Sequence, residues 1–520
     1  MNEITTKTWR QYESGKEYKR RIGLYDNVRR NERYYRGDQW YGTVSELPRP
    51  VFNIIRRIID YLIGSIASPN IRIRYTDESI PYAERREDVE MLSEGVKLLN
   101  GNAAYRWENE KMDSVVYRLM LDAAISGDGV LYCSWDPDAA GTPLASGDIR
   151  TQTLDNVNLF LADVNRADIQ SQEYIILSGR QSVLSLRREA KANGVSDADI
   201  KKIVADSERA EQSGDLSEYE LEGEDEEKAT YLIKFWKEKG RVCFEKSTRL
   251  CVISQKRTGL RLYPVTYFNW YPTKNSCHGT SPITGLIPNQ KFINRAYAMV
   301  MKHMTDTAFS KVVYDKTKIP EWSNEVGEAI AAVGGGNISD AVSVVGVGQL
   351  QSGYLELISN AISNTKEMMG ATETALGNVN PSNTSAILAM QEAARIPLIQ
   401  IRSAFRTCLE ELAAIWADML CVCFGDRCRL PVIVGGELST ASAELSRLHD
   451  SLVRAHVEIG NIADFNLATT QGMLDRLLEG GYIAASDYLE LLPAGLMLDR
   501  EDLVRRVSLR ENTKEEMKNE

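Results

Sequence analysis

Residues 283–309 read ITGLIPNQKFINRAYAMVMKHMTDTAF. Ile283, Leu286, Ile293, Tyr297, Val300 and Met304 fall on one stripe of a helix, which at the usual rise per residue spans about 40 Å. The helix feeds into residues 311–347, whose pattern is strand, helix, strand. Lys311 to Tyr314 reads as a strand, Glu321 to Val333 as a helix, Gly334-Gly335-Gly336 as a break and Ala341 to Val347 as a second strand. Such a unit lies below the roughly 40-residue floor for an independent core, so it has to borrow stability from its neighbours. Pairing its strand edges with another subunit is the simplest way. Leu355 to Leu376 is helical again, and Gly377-Asn378-Val379-Asn380-Pro381-Ser382-Asn383 breaks it. Thr384 or Ser385 then caps a very long helix, Ala386 to about Phe424, which Gly425 ends. Pro397 inside it lacks the amide proton the helix needs, which predicts a kink. The fold class expected is mainly α with α+β parts, in an elongated subunit.

Upstream, residues 1–74 are helical in pattern and locally basic, with 15 Lys/Arg against 8 Asp/Glu. Ile54, Ile55, Ile58, Ile59, Leu62 and Ile63 recur at helical spacing, and Arg56, Arg57 and Asp60 between them read as a solvated face rather than a DNA-facing patch. A second helical block from Tyr82 to Ala124 stops at Ser126-Gly127-Asp128-Gly129, a turn signal, before the strand Val130 to Trp135. Residues 150–270 mix one helix with short strands at Tyr174–Leu177, Tyr231–Trp236, Arg241–Phe244 and Val265–Trp270. The polar stretch 206–228 ends in an acidic run and reads as a mobile surface loop. Downstream, a short strand at Leu430–Val434 is followed by helices from Ala441 to the end, including a structural helix–turn–helix around Gly480-Gly481.

At 520 residues the chain exceeds what one core usually organises. Its 43% hydrophobic and 26% charged residues are those of a folded protein, which excludes collagen, disulfide scaffolds and disorder throughout. The net charge of −11 disfavours tight, sequence-reading DNA binding. Eight cysteines without a CxxC pair read as reduced thiols of a cytosolic protein. Cys421 and Cys423, if helical, point to different faces, against a zinc site with Cys428. The polar amino terminus is no signal peptide, and the most apolar stretch, Val51 to Ala67, carries Arg56, Arg57 and Asp60, against a membrane span. The expectation is a soluble protein, intracellular when made.

Catalytic signatures are missing. The sequence has no GxxxxGK[ST] loop, no GxGxxG after a strand, no HExxH and no GxSxG. The glycine run 334–336 lacks the Lys or Ser/Thr that phosphate binding needs and reads as a turn. His449 and His456, read as seven apart on one helix, stand ~10 Å apart along its axis, too far to ligate one ion. The expectation is no catalytic, cofactor or metal site, although spacing alone leaves a cryptic pair of carboxylates open.

The order of segments resembles the portal proteins of tailed bacteriophages. The likeness is carried by Asn31-Glu32-Arg33-Tyr34-Tyr35-Arg36-Gly37-Asp38-Gln39-Trp40, by Pro50-Val51-Phe52-Asn53-Ile54-Ile55 and by the strand Ile71-Arg72-Ile73-Arg74. Ser126-Gly127-Asp128-Gly129 and Tyr263-Pro264-Val265 follow. His278-Gly279-Thr280-Ser281-Pro282 leading to Gln290-Lys291-Phe292-Ile293-Asn294 is the most telling match. The resemblance implies a ring, typically of twelve subunits, at one capsid vertex, through which a terminase drives double-stranded DNA and DNA later leaves.

By that resemblance residues 1–282 form a wing, 283–310 a first stem helix, 311–353 a clip, 354–376 a second stem helix and 377–385 a channel loop. Residues 386–440 form the kinked helix and a return to the wing, and 441–520 a crown. Asn378, Asn380, Ser382, Asn383 and Thr384 would face DNA without sequence specificity. Lys316, Lys318, Glu321, Trp322 and Glu325 would dock the terminase large subunit and later a head–tail adaptor, with Trp322 either an anchor or packed inside the clip. The major capsid or a scaffolding protein would be a further partner, with no membrane and no cofactor. The location implied is the virion, after synthesis in the host bacterial cytoplasm. Another structural core or scaffold protein of the virion, and an enzyme of unknown type, are the alternatives.

Overall fold

The computed structural model describes residues 3–42, 47–67, 71–82, 85–139, 147–206, 227–307, 311–323, 325, 330–334, 337–345, 352–371, 396–424, 426, 428–434, 436–459, 464–491, 503 and 507. The chain divides into two compact units. The first comprises Met1–Arg29, Leu62–Pro282 and Leu398–Glu520; the second comprises Arg30–Tyr61 and Ile283–Pro397.

The amino-terminal part runs α1 (Glu3–Arg21), α2 (Leu24–Arg36), α3 (Ile54–Ile66), β1 (Ile71–Asp77), α4 (Arg86–Asn109) and α5 (Met112–Ser126). Next come β2 (Asp128–Asp136), β3 (Asp148–Thr153), β4 (Leu159–Leu161), β5 (Tyr174–Ser182), α6 (Val183–Ala192) and α7 (Asp197–Ile200). Then β6 (Lys228–Glu238), β7 (Arg241–Ser247), β8 (Val252–Arg257) and β9 (Val265–Asn269) precede α8 (Pro282–Thr307), β10 (Lys311–Tyr314), β11 (Val342–Val345) and α9 (Ser352–Met368). Last are α10 (Ile399–Cys423), β12 (Leu430–Val434), β13 (Glu437–Ala441), α11 (Leu445–Asp450), β14 (Val453–Ile459), α12 (Asp464–Glu479) and α13 (Ala485–Leu491).

The first unit holds an antiparallel five-stranded sheet, β4-β5-β6-β7-β8, a three-stranded sheet, β3-β2-β9, and the pairs β1-β14 and β12-β13. On α1, Trp9 and Tyr12 pack against Phe160, Ile176 and Leu232 of the larger sheet. Lys19, at the other end of α1, is buried, and its Nζ donates to three carbonyls: Asn156 at 2.7 Å, Val157 at 2.9 Å and Leu159 at 2.6 Å. A buried ammonium is tolerable only with such a full set of acceptors. Helix α10 buries Phe405, Leu409, Leu412, Trp416 and Leu420, each worth about 1.5–3 kcal/mol when fully removed from water. The Trp416 Nε1–H donates to Thr151 Oγ1 at 3.0 Å, fixing the indole against β3. Beside it Arg106 is ion-paired to Glu110 and Asp148, both at 3.0 Å. Burial pushes the Glu110 carboxyl up from its ordinary value, while Arg106 pulls it back down.

In the second unit α8 buries Ile283, Leu286, Ile287 and Ile293, and the Asn289 amide on α8 donates to Thr365 Oγ1 on α9 at 3.2 Å. Met299, Met301 and Met304 of α8 are exposed, as are Tyr354, Leu355 and Leu357 of α9.

Three expectations need correction. The helix expected over Glu321 to Val333 is absent among the described residues of that stretch. The Val333 N–H donates to the Lys318 carbonyl at 2.7 Å, so the chain turns back beside Lys318. An isolated helix of that length is marginal in water. Pro397 sits in a 3₁₀ turn, Ile396–Leu398, from which α10 starts, a place where its missing N–H costs little, and residues 386–395 of the expected long helix lie outside the described residues. Residues 441–459 are not wholly helical: Ala441 ends β13, and β14 pairs in antiparallel register with β1, Ile71 opposite Ile459. His449 therefore lies in the last turn of α11 while His456 lies on β14. Strands β3, β4 and β8 are additions to those read from the sequence. Among the described residues no helix is long and apolar enough to cross a membrane.

Candidate functional site

The segments that carry the sequence resemblance converge on two buried polar nodes, one in each unit. In the first unit, α5 ends at Ser126 and Gly127 turns the chain with φ 95°, its N–H donating to Ala123 O at 2.9 Å. That turn delivers Asp128 into the core at the start of β2. Its Oδ2 meets His278 Nδ1 at 2.7 Å and accepts from Asn156 Nδ2 at 2.9 Å. Its Oδ1 accepts from Asn269 Nδ2 at 2.8 Å and from the Gly279 N–H at 2.7 Å. A buried carboxylate is costly unless its lone pairs are filled, and here four donors fill them. With His278 Nδ1 facing a carboxylate, the proton sits on that nitrogen. Ser281 Oγ donates to Ala124 O at 2.6 Å, closing the second motif back onto α5. The node is a lock: its carboxylate has no acceptor position left to serve as a general base.

In the second unit Gln290 and Asn294, one turn apart on α8, reach the start of α3. Gln290 Oε1 accepts from the backbone N–H groups of Ile54 at 3.1 Å and Ile55 at 3.4 Å, and its Nε2 donates to Phe52 O at 2.7 Å. Helix starts leave such N–H groups unpaired, and here a side chain from another helix caps them. Asn53 caps the same helix through the Arg56 N–H at 3.1 Å and donates to Tyr35 O at 2.8 Å. Asn294 Nδ2 donates to Gln39 Oε1 at 2.6 Å, and Gln39 Nε2 donates to Tyr34 O at 3.1 Å. These side chains are neutral, so burying them needs paired amides and no counter-charge.

A third polar cluster was not anticipated from the sequence. On α10, Asp418 Oδ2 accepts from the N–H groups of Arg261 at 2.8 Å and Leu262 at 3.0 Å, and its Oδ1 lies 2.8 Å from His449 Nε2. It borders a cavity of ≈ 190 Å³. Burial, with Asp418 nearby, pushes the neighbouring Cys421 thiol up to about 12, so the thiol stays protonated and unreactive.

The candidate docking residues fall around the turn after β10. Lys316, Glu321 and Glu325 are exposed and Lys318 is half-buried. Trp322 stacks on Tyr314 of β10, ring centroids 5.2 Å apart and 22° between planes, and is only partly exposed. Asp315 shapes the turn by accepting from Thr317 Oγ1 at 2.6 Å and the Thr317 N–H at 2.9 Å, bonds that hold its carboxyl below the usual range. The candidate channel residues Asn378, Asn380, Ser382, Asn383 and Thr384 lie outside the described residues, as does most of the acidic stretch at 207–226.

Two long helices around a small antiparallel β pair, together with the buried polar nodes, make a mixed α and β architecture. Residues 198–437 match a family model described as Phage P22-like portal protein. The resemblance to tailed-bacteriophage portal proteins is thereby borne out over those residues. The matched segment contains His278, Gln290, Asn294, the β10–β11 pair and α10. The motifs at 31–40, 50–55 and 126–129 precede it, and they meet the matched segment in the two nodes. No curated protein matches the chain.

Proposed function

We propose that this chain is the repeating subunit of a ring at one capsid vertex, through which double-stranded DNA is packaged and later released. The observation that carries the reading is the portal-family match over residues 198–437. The large apolar residues left exposed on α8 and α9 support it, since such side chains are often covered by a partner. In this reading α8 and α9 are the stem helices, residues 311–353 the clip, 1–282 with 386–440 the wing and 441–520 the crown. Lys316, Lys318, Glu321 and Glu325 dock the terminase large subunit and later a head–tail adaptor, and Trp322 holds the clip together from within. Residues 377–385 form the channel loop, and the major capsid or a scaffolding protein surrounds the ring. An acidic chain suits a conduit, because strong phosphate binding would stall DNA that must slide.

Twelve copies of this 58.4 kDa chain would make a particle of about 700 kDa. Negative-stain class averages of the purified protein should show a cogwheel with a central hole. Monomers and dimers alone, across a range of salt and protein concentration, would overturn the ring.

A further inference from the structure

In the first unit, side chains from helices close the outer edges of the strands. On β3, Glu110 Oε2 accepts the Thr151 N–H at 2.7 Å and Arg106 donates to Ile149 O at 3.0 Å. On β14, Glu410 Oε1 accepts the Val457 N–H at 3.3 Å and Arg402 donates to Ile459 O at 3.1 Å. On β1, Asn100 meets Tyr75 twice, accepting from its N–H at 2.7 Å and donating to its carbonyl at 3.2 Å. An unpaired edge is a template for another strand, and each of these contacts removes part of one.

Among the described residues, no helix side chain caps Leu438 or Thr440 of β13 in this way. Pro431 of β12 lies opposite Thr440, and Ile433 lies opposite Leu438. Pro431 has no N–H, and its carbonyl accepts from Asn102 Nδ2 at 2.9 Å on the side away from β13. It therefore belongs to a pair that exchanges no ladder bonds, and by the antiparallel alternation so does Ile433 with Leu438. The N–H and C=O groups of Leu438 and Thr440 accordingly line the outer edge of β13. They have no partner among the described residues. Leu438 is 69% exposed.

A matching gap lies on β1. Counting by twos from Tyr75, the N–H and C=O groups of Ile73 and Ile71 face the same outer edge, without a partner among the described residues. There α4 presents Ala103, Ala104 and Trp107, leaving a groove of ≈ 290 Å³ with Arg72 and Glu108 at its rim.

We propose that the Leu438–Thr440 edge of β13 in one copy adds to the Ile71–Ile73 edge of β1 in the next copy. The inference rests on the ring reading and names one of its contacts. Two outward-facing residues meet two, and the Leu438 side chain finds an apolar groove walled by small alanines and an indole. Because β1 and β13 are different patches of one chain, the contact is head-to-tail, the kind that closes into a ring. The edge of β8 instead carries exposed Lys256 and Arg257, charges of the kind that guard an edge against such pairing.

Leu438→Pro tests the contact, since it removes only an outward N–H, which an edge strand tolerates. The variant should keep the circular dichroism spectrum of the wild type and yield roughly tenfold less ring by native mass spectrometry at equal concentration. Independently, for an antiparallel addition in which Ile71 meets Thr440 and Ile73 meets Leu438, Arg72→Cys combined with Ser439→Cys should give a ladder of disulfide-linked oligomers on mild oxidation, which neither single variant gives. If the wild type forms rings but the double-cysteine chain gives no ladder, the strand addition is overturned and the ring reading stands. The strand addition also falls, with the ring intact, if Leu438→Pro assembles like the wild type, or if the Leu438 edge becomes protected from amide exchange only when another virion protein is added. A wild type that never exceeds a dimer overturns both. Should Leu438→Pro fail to fold, the cysteine ladder decides alone.

Discussion

A Cβ placed on Gly127 would lie 2.6 Å from the carbonyl oxygen of Gly279, and one placed on Gly279 would lie 2.8 Å from the carbonyl oxygen of Gly127. The two glycines, 152 positions apart by their numbers, thus permit each other's backbone, and the approach lets the Gly279 N–H reach Asp128 at 2.7 Å. Gly279→Ala should lower stability by about 2–3 kcal/mol. Gly127→Ala should lower it further, because φ 95° is strained for any residue with a Cβ. Gly285→Ala, where a Cβ meets open space on α8, should be neutral or slightly stabilising. Urea unfolding of the three variants tests this, and equal midpoints for Gly279→Ala and Gly285→Ala would refute the lock.

Glu411 on α10 supplies a pH dependence. Burial, with a contribution from Asp168, pushes its carboxyl up to about 7 from an ordinary value of 4.5. The folded chain therefore holds this proton more tightly than the unfolded one. Its stability falls as pH rises from about 4.5 through 7, with the full penalty present above 7. The ceiling is about 3 kcal/mol, and water reaching the half-buried group reduces it to ~1–2 kcal/mol. Glu411→Gln should be more stable than the wild type at pH 8 and lose that advantage at pH 4.5. An unchanged difference between the two pH values would remove Glu411 as the cause.

The stacking of Trp322 on Tyr314 separates two roles within residues 311–353. Trp322→Ala should make this segment more sensitive to limited proteolysis, with weaker terminase binding as a consequence. Lys316→Glu with Lys318→Glu should leave proteolysis unchanged and weaken terminase binding about tenfold at low salt. A Trp322→Ala segment as resistant as the wild type, yet unable to bind terminase, would make the indole a direct anchor instead.

The composition of residues 377–385, all small or polar apart from Val379, suits a sliding contact with DNA. Asn380→Lys with Asn383→Lys should assemble normally and slow packaging, most at low salt, where phosphate attraction is strongest. Packaging at the wild-type rate at every ionic strength would take this segment out of the channel.

Periodicity and turn chemistry carried much of the local structure. The isoleucines at 54, 55, 58 and 59 announced α3, the apolar stripe from Ile283 announced α8, and Ser126-Gly127-Asp128-Gly129 marked the passage from α5 to β2. Each of these depends on neighbours within one or two turns of chain, so spacing alone is informative. The ordered motifs, taken together, were also enough to point to the portal family.

Only the tertiary structure decided which of those motifs touch. Nothing in the spacing of Asp128 and His278, or of Gln290 and Ile54, says that one fills the other's hydrogen bonds, because a buried polar group takes its partner from wherever the fold brings one. The pairing of β14 with β1 was hidden for the same reason. Val453–Ile459 alternates weakly, and its strand character comes from Tyr75 and its neighbours some 380 positions away. The stretch after Pro320 shows the converse. Its alanines and glutamates favour a helix locally, but a helix of that length is marginal alone; the described residues there form none, and the Val333 N–H bonds the Lys318 carbonyl instead.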